Sequence, residues 1–165
     1  MIIFAMLGAI MFASKVIMEA LPNIHLLGTL VVTYTVVYRR RALIPIYIYV
    51  LLNGIYGGFS LWWVPYLYIW TILWGMAMLI PKGLSKKAKC VIYPIISCIH
   101  GFAYGSLYAP AQALMFGLDF EGMIAWIIAG LPFDAIHGIS NLAVGFLILP
   151  LSELIDKLNK SGRSS

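Results

Sequence analysis

Charged side chains are scarce in this chain. Asp, Glu, Lys and Arg make up 10% of its 165 residues, whereas 62% of the residues are hydrophobic. A soluble domain carries about 25% charged residues, so an ordinary soluble globular protein is excluded and the surplus apolar side chains are expected to face lipid. We therefore predict an all-α integral membrane protein, because helices satisfy their own backbone hydrogen bonds inside a bilayer.

Motifs of nucleotide hydrolysis and of two common hydrolase classes are also missing. GxxxxGK[ST], GxSxG and HExxH do not occur, so neither a P-loop ATPase nor an enzyme of the other two classes is expected. The two cysteines, Cys90 and Cys98, fall on the cytoplasmic half of one predicted helix, where a disulfide would be reduced. No residues follow a recognisable metal-ligand spacing, so we predict no metal and no cofactor on this chain.

The basic residues lie in three short clusters, and their positions predict the topology. The clusters are Arg39, Arg40, Arg41; Lys82, Lys86, Lys87, Lys89; and Lys157, Lys160, Arg163. Loops rich in Lys and Arg stay in the cytoplasm, whereas Asp119 and Glu121 fall in the opposite set of loops. Both termini are therefore predicted to be cytoplasmic, and membrane topology explains the basic clusters without a nucleic-acid partner.

The apolar stretches between these clusters divide into six spans. A bilayer core about 30 Å thick needs about 20 apolar residues per helix, which places spans at 2–20, 24–38, 42–59, 63–80, 90–116 and 122–150. The second span is short and is expected to be partly sunk below the outer surface. The predicted organisation is a six-transmembrane-helix bundle over 1–150 and a cytoplasmic C-terminal tail over 151–165. Any binding site is expected between the helices.

Polar residues within the sixth span form a stripe. A charged side chain at bilayer depth costs about 2.5–3.5 kcal/mol on insertion scales and usually faces a cavity or a partner. Asp134, His137 and Asn141 are spaced by three and four residues, so they share one helical face. Two interpretations are open: a ligand-binding stripe, or a buried Asp–His pair that holds the helix in its bundle.

The fifth and fourth spans supply faces that could oppose this stripe. His100, Tyr104 and Tyr108 follow one another at steps of four residues, and we interpret them as ligand contacts or as structural hydrogen-bonding groups. The aromatic residues of the fourth span that share this spacing are Tyr66, Trp70 and Trp74. Aromatic side chains stacked on one face can enclose a flat ring, although internal packing gives the same pattern.

Three further elements are specific in combination. They are an alanine ridge in the first span (Ala5, Ala9, Ala13), the turn that runs from Glu19 to Gly28, and the stretch from Pro132 to Asn141. Together with the six-span plan, which covers the whole chain, they resemble the substrate-binding S-components of energy-coupling factor (ECF) transporters. These transporters are prokaryotic importers of vitamins and other micronutrients.

The resemblance implies a multi-pass subunit of the prokaryotic cell membrane that is not itself an enzyme. It implies a vitamin or related micronutrient bound from outside, a membrane coupling protein that docks on the alanine ridge, and two cytoplasmic ATPases that use the ATP. The ligand contacts would come from the outer halves of the last three spans, at Tyr66, Trp70, Tyr104, Tyr108, His137 and Asn141, with Asp134 as a further candidate. These residue types favour a planar heteroaromatic ligand.

Two other hypotheses belong to different classes. The first is an integral membrane enzyme that uses Asp134 and His137 as acid–base partners. The second is a small membrane assembly or scaffold protein whose helices only pack, so that substitution of His137 or Asn141 would have no effect on any ligand.

Overall fold

The structure, a computed structural model, describes residues 1–21 and 23–161. The α-helices of this part of the chain are α1 Ile2–Ile17, α2 Leu27–Tyr38, α3 Leu43–Gly57, α4 Tyr66–Met78, α5 Lys86–Phe116, α6 Phe120–Gly145 and α7 Ile148–Ser161. Two short 3₁₀ helices, Arg39–Ala42 and Leu61–Trp63, precede α3 and α4. The described residues form no strand, which confirms the predicted all-α class for them.

The helix bounds differ most from the predicted spans at the end of the chain. A single span over 122–150 is wrong, because α6 ends at Gly145 and a separate helix begins at Ile148. Pro150 explains the break, since proline has no N–H to donate to the carbonyl four residues earlier and its ring clashes with that carbonyl. The predicted boundary between 150 and 151 therefore falls inside α7. Pro22 and Arg163, which belong to predicted elements, lie outside the described residues.

α2 lies at the centre of the bundle. Every residue from Leu27 to Thr35 is buried, and α2 contacts α1, α4, α5, α6 and α7. A helix that is apolar on all sides is typical of such a position. At 12 residues, α2 is about 18 Å long, which is shorter than a bilayer core about 30 Å thick.

α5 and α6 form the longest helix pair, and small residues bring their backbones together. A Cβ atom at Gly101 would lie 2.8 Å from the Cα atom of Gly138, and a Cβ atom at Gly145 would lie 2.7 Å from that of Pro94. The paired residues run in opposite directions along the sequence, so the helices are antiparallel. The small residues of the fifth span therefore serve internal packing.

The outer surface of the helices is apolar. α5 and α6, with 31 and 26 residues, are each long enough and apolar enough to cross a membrane, and α1 is a shorter apolar helix of 16 residues. Large apolar side chains are exposed along the long pair, for example Ile95, Ile99, Phe102, Ile128, Phe133 and Ile139. On α1, the three alanines of the ridge are exposed, whereas Gly8 packs against Ile48 of α3.

A buried cluster of aromatic and imidazole side chains

Trp70 is the centre of a cluster of rings in the interior of the bundle. Its side chain is 1% exposed. Ring contacts, with centroids 4.7 to 6.3 Å apart, connect it directly or through one neighbour to the other members. The Trp70 cluster consists of His25, Tyr49, Tyr66, Trp70, His100, Tyr104 and His137. Four helices and the segment before α2 therefore contribute to one site.

Helical periodicity explains how two of these helices present their rings. Tyr66 and Trp70 are four residues apart at the start of α4, and His100 and Tyr104 are four residues apart in α5, so each pair lies on one helix face. The predicted faces of the fourth and fifth spans do meet, because Trp70 lies 5.9 Å from His100 and 6.1 Å from Tyr104 between ring centroids.

All three histidines of the chain belong to this cluster. The rings of His25 and His137 lie 4.7 Å apart, and His137 lies 4.9 Å from Tyr104. Nε2 of His100 lies 3.1 Å from the carbonyl oxygen of Ile69. Because a carbonyl only accepts, Nε2 carries the proton, and a neutral His100 ring then offers Nδ1 as an acceptor. Among the described residues, no three His, Cys, Asp or Glu side chains are arranged to hold a metal ion.

Many polar atoms of the cluster are buried without a hydrogen-bond partner among the described residues. Within the cluster they are Nδ1 of His25, the Tyr49 hydroxyl, Nε1 of Trp70, Nδ1 of His100 and Nε2 of His137. More than nine in ten buried polar groups in proteins have a partner, so such a concentration calls for an explanation. These atoms include a fixed donor, the indole N–H, and imidazole nitrogens that can accept or donate.

Asn141 and Ser97 extend this polar interior beyond the rings. Nδ2 of Asn141 donates to the carbonyl of Ser97 at 3.2 Å, whereas Oδ1 of Asn141 and the Ser97 hydroxyl are buried and unpartnered among the described residues. Both side chains face α2 at Gly28, where a Cβ atom would lie 2.8 Å from the Ser97 hydroxyl oxygen. Glycine is therefore needed at this position for α2 to approach them.

Two predicted site residues are engaged elsewhere. The Asp134 carboxylate accepts the Gly105 N–H at 3.0 and 3.1 Å, which ties α6 to α5. The Tyr108 hydroxyl donates to the carbonyl of Trp62 at 3.0 Å, and its ring stacks on Trp126 at 5.9 Å. Asp134 thus connects α6 to α5. Tyr108 lies at the edge of the cluster, with its ring centroid 6.3 Å from that of Tyr104.

No Asp, Glu, Lys or Arg side chain belongs to the Trp70 cluster. Lys15 and Glu19 of the first predicted span form an ion pair at 2.9 Å, and the Lys15 ammonium lies 5.2 Å from the ring centroid of Tyr56. Because Asp134 is hydrogen-bonded to backbone between α5 and α6, the groups that face one another in the cluster are aromatic and imidazole rings, with amide and hydroxyl groups beside them.

Sequence reasoning missed two members of the cluster and one neighbour. His25, in the turn from Glu19 to Gly28, is not among the predicted ligand contacts, but its ring reaches His137 because the segment before the short α2 turns inward. Tyr49 was not selected, although it precedes the buried Asn53 by four residues and so shares its face of α3. Ser97 likewise stands four residues before Gly101, which packs against Gly138 of α6.

Comparisons of the chain with protein-family models, with curated proteins and with solved structures find no match.

Proposed function

We propose that this chain is a membrane-embedded binding protein for an uncharged, planar heteroaromatic micronutrient, and that it serves as the substrate-specificity subunit of an ECF-type importer. The observation that carries the proposal is the group of unpartnered polar atoms on the rings around Trp70. A ligand that hydrogen-bonds to them would satisfy groups whose burial otherwise costs about 1–3 kcal/mol each. Aromatic walls with a few polar atoms are typical of small-molecule sites.

The composition of the cluster supports an uncharged ring system as the ligand. The indole N–H of Trp70 suits an acceptor, and Nδ1 of His100 suits a donor. A ring that carries both ring nitrogens and amino or carbonyl groups offers this combination, as pterin-like and deazapurine-like compounds do. An anionic group would be desolvated here with no Lys or Arg of the cluster beside it, which is costly.

The membrane part of the proposal is supported by the apolar helices and by the distribution of charge. In a six-span topology with both termini in the cytoplasm, the three arginines that follow α2 lie on the cytoplasmic side. The lysines before α5 and in its first turns lie on the same side. The Trp70 cluster then lies between the middle of the bundle and its outer surface. α2, α3 and α4 are short, so in this topology the chain before and after them completes the crossing.

The transport part of the proposal adds partners that this chain does not contain. Without an ATPase motif of its own, the subunit would associate with a membrane coupling protein and two cytoplasmic ATPases. The exposed alanine ridge of α1 is the proposed docking surface for the coupling protein, because small residues allow helices to approach closely in lipid.

In the enzyme hypothesis Asp134 and His137 act together, but the Asp134 carboxylate bonds to the Gly105 N–H instead.

The first experiment is mass spectrometry of small molecules released from the full chain, purified in detergent from cells grown in rich medium. We expect one stoichiometric heteroaromatic compound without net charge. An equimolar anionic compound would contradict the ligand class, and lipids alone, together with no binding of candidate compounds by calorimetry, would contradict the binding function and favour the assembly hypothesis.

Replacement of Ala9 by Trp tests the docking surface separately from the ligand site. Ala9 is exposed on α1, so a bulky side chain should block close helix contact and abolish uptake of the labelled compound, while the equilibrium dissociation constant stays unchanged. The matched control is Ile128→Trp, an exposed position on a different helix, α6. Equal loss of uptake in both variants, or loss of binding in Ala9→Trp, would remove the ridge from docking.

A further inference from the structure

A groove opens at the end of the bundle where α1, the turn after α2, and α7 meet. Its volume is about 1150 Å³. One wall is apolar and comes from α1 and α7, with Ile3, Leu7, Ile10, Ile155 and Leu158 among its residues. The other wall follows the turn between α2 and α3 and the connection between α4 and α5. The groove therefore joins four parts of the chain that are distant in sequence.

Specific contacts build the floor of this groove. The Tyr38 hydroxyl donates to Oδ1 of Asn159 at 3.2 Å, which ties the end of α2 to α7. The ring of Phe4 packs edge-on against Tyr38 with centroids 5.2 Å apart, which ties α1 to the same place. All three residues line the groove, so it has a defined base formed by three helices.

The polar wall is strongly basic. Arg39, Arg40, Arg41, Lys82 and Lys160 line the groove, and Asp156 is the acidic side chain that faces them. Arg40, Arg41 and Lys82 are exposed. Arg39 differs from them, since its guanidinium donates to the carbonyl of Met78 at 2.6 Å. A groove with one cationic wall and one apolar wall matches a molecule that has an anionic head and a hydrocarbon tail.

We infer that this groove is a binding site for an anionic phospholipid of the cytoplasmic leaflet. The phosphate lies against Arg40, Arg41 and Lys82, and an acyl chain follows the apolar wall of α1 and α7. Basic pockets between transmembrane helices on the cytoplasmic side bind anionic headgroups in this way. The inference depends on the membrane topology proposed above, but not on the identity of the ligand at Trp70 or on transport.

The groove borders the alanine ridge on α1 but does not include it. None of the three alanines lines the groove. Met6 does line it and lies three residues before Ala9, which places the two residues roughly 60° apart around a helix with 3.6 residues per turn. A lipid in the groove would therefore lie beside the ridge.

The test uses the full chain in a non-ionic detergent and intact-complex mass spectrometry. The chain is titrated with phosphatidylglycerol and with phosphatidylcholine of identical acyl chains. We expect one phosphatidylglycerol molecule to be retained in preference to phosphatidylcholine. The double variant Arg40→Gln/Arg41→Gln should weaken phosphatidylglycerol binding on the order of tenfold and leave phosphatidylcholine binding unchanged.

The matched control is Lys87→Gln, which removes an exposed positive charge near the start of α5, outside the groove, and should leave lipid selectivity unchanged. Equal retention of the two lipids, or the same loss in Lys87→Gln, would overturn the inference. Displacement of phosphatidylglycerol by an equal concentration of inorganic phosphate would also overturn it, because the site would then select the anion alone. If the wild-type chain binds no micronutrient but selects phosphatidylglycerol as expected, the proposed function would be rejected and the lipid site would stand.

Discussion

Two tryptophans one turn apart on α4 lie in opposite kinds of surroundings. Nε1 of Trp74 donates to the backbone carbonyl of Arg39 at 3.1 Å, and the Arg39 guanidinium in turn donates to the carbonyls of Met78 and Ile80. Nε1 of Trp70 is buried and has no partner among the described residues. The Arg39 junction, formed by Arg39, Trp74, Met78 and Ile80, thus satisfies its polar groups internally, whereas several polar atoms of the Trp70 cluster have no partner among the described residues.

The backbone at Arg39 supports a structural interpretation of this junction. Arg39 has φ of 55° and ψ of −121°, a conformation that costs a non-glycine residue of order 1–3 kcal/mol. This conformation places its guanidinium over the carbonyl of Met78, the last residue of α4, and over that of Ile80 just beyond it. The hydrogen bonds offset the strain and hold the end of α2 against α4, so the junction is expected to govern stability and the Trp70 cluster to govern affinity.

The largest expected effect on stability comes from Arg39→Ala. The variant keeps the unfavourable backbone conformation but loses charge-assisted hydrogen bonds to two carbonyls, which should lower the free energy of unfolding by about 2–3 kcal/mol. Thermal unfolding in detergent measures this change, with the exposed neighbour Arg40→Ala as the control. Affinity for the co-purified compound should not change, and a parallel loss of affinity would erase the distinction between the two regions.

A matched pair, Trp70→Phe and Trp74→Phe, sharpens the comparison on a single helix. Both substitutions replace an indole by a smaller ring, so each lowers stability through lost packing. Trp70→Phe also removes a donor that no described residue uses, so no further loss of stability is expected while ligand affinity falls roughly tenfold. Trp74→Phe removes a donor that bonds to Arg39, so stability should fall by about 1 kcal/mol more with affinity unchanged. Calorimetric binding and thermal unfolding of both variants check this, and the reverse assignment would refute it.

A second pair, Asn141→Ala and Asn159→Ala, should give smaller effects of the same kind. Oδ1 of Asn141 is unpartnered among the described residues, so its loss should weaken ligand binding by roughly fivefold. Asn159 accepts the Tyr38 hydroxyl, so its loss should lower stability by about 1 kcal/mol or less and spare the ligand. An Asn141→Ala variant with wild-type affinity would place this amide outside the site.

The smallest expected effect is that of Lys86→Gln. Nζ of Lys86 lies 2.9 Å from Oε1 of Glu153, but both side chains are largely exposed, and ion pairs of this kind contribute little to stability. We expect neither affinity nor the unfolding midpoint to change measurably. A clear loss of stability would show that the connection between α5 and α7 contributes as much as the Arg39 junction.

Much of the candidate site could be predicted from helical spacing. Steps of four residues select the faces that carry Trp70 and Tyr104, because such positions lie one turn apart on a helix. Spacing alone does not say which turn of a stripe reaches the cluster: Trp74 shares the face of Trp70 but bonds to Arg39. The break between α6 and α7 could have been anticipated from Pro150, whereas the inward turn that brings His25 to His137 depends on contacts between distant segments.

The amino-acid sequence by itself determined the all-α class, because the chain is rich in apolar residues, poor in charge and divided by basic clusters. It also determined which side chains share a helix face, because the helical period is a local property of the backbone. Only the tertiary structure decided that all three histidines meet around Trp70, that Asp134 bonds to Gly105, and which buried polar atoms have partners. Those outcomes depend on how closely the helices pack and on the register in which they meet. The glycines at the helix contacts allow close packing, but they do not specify the register.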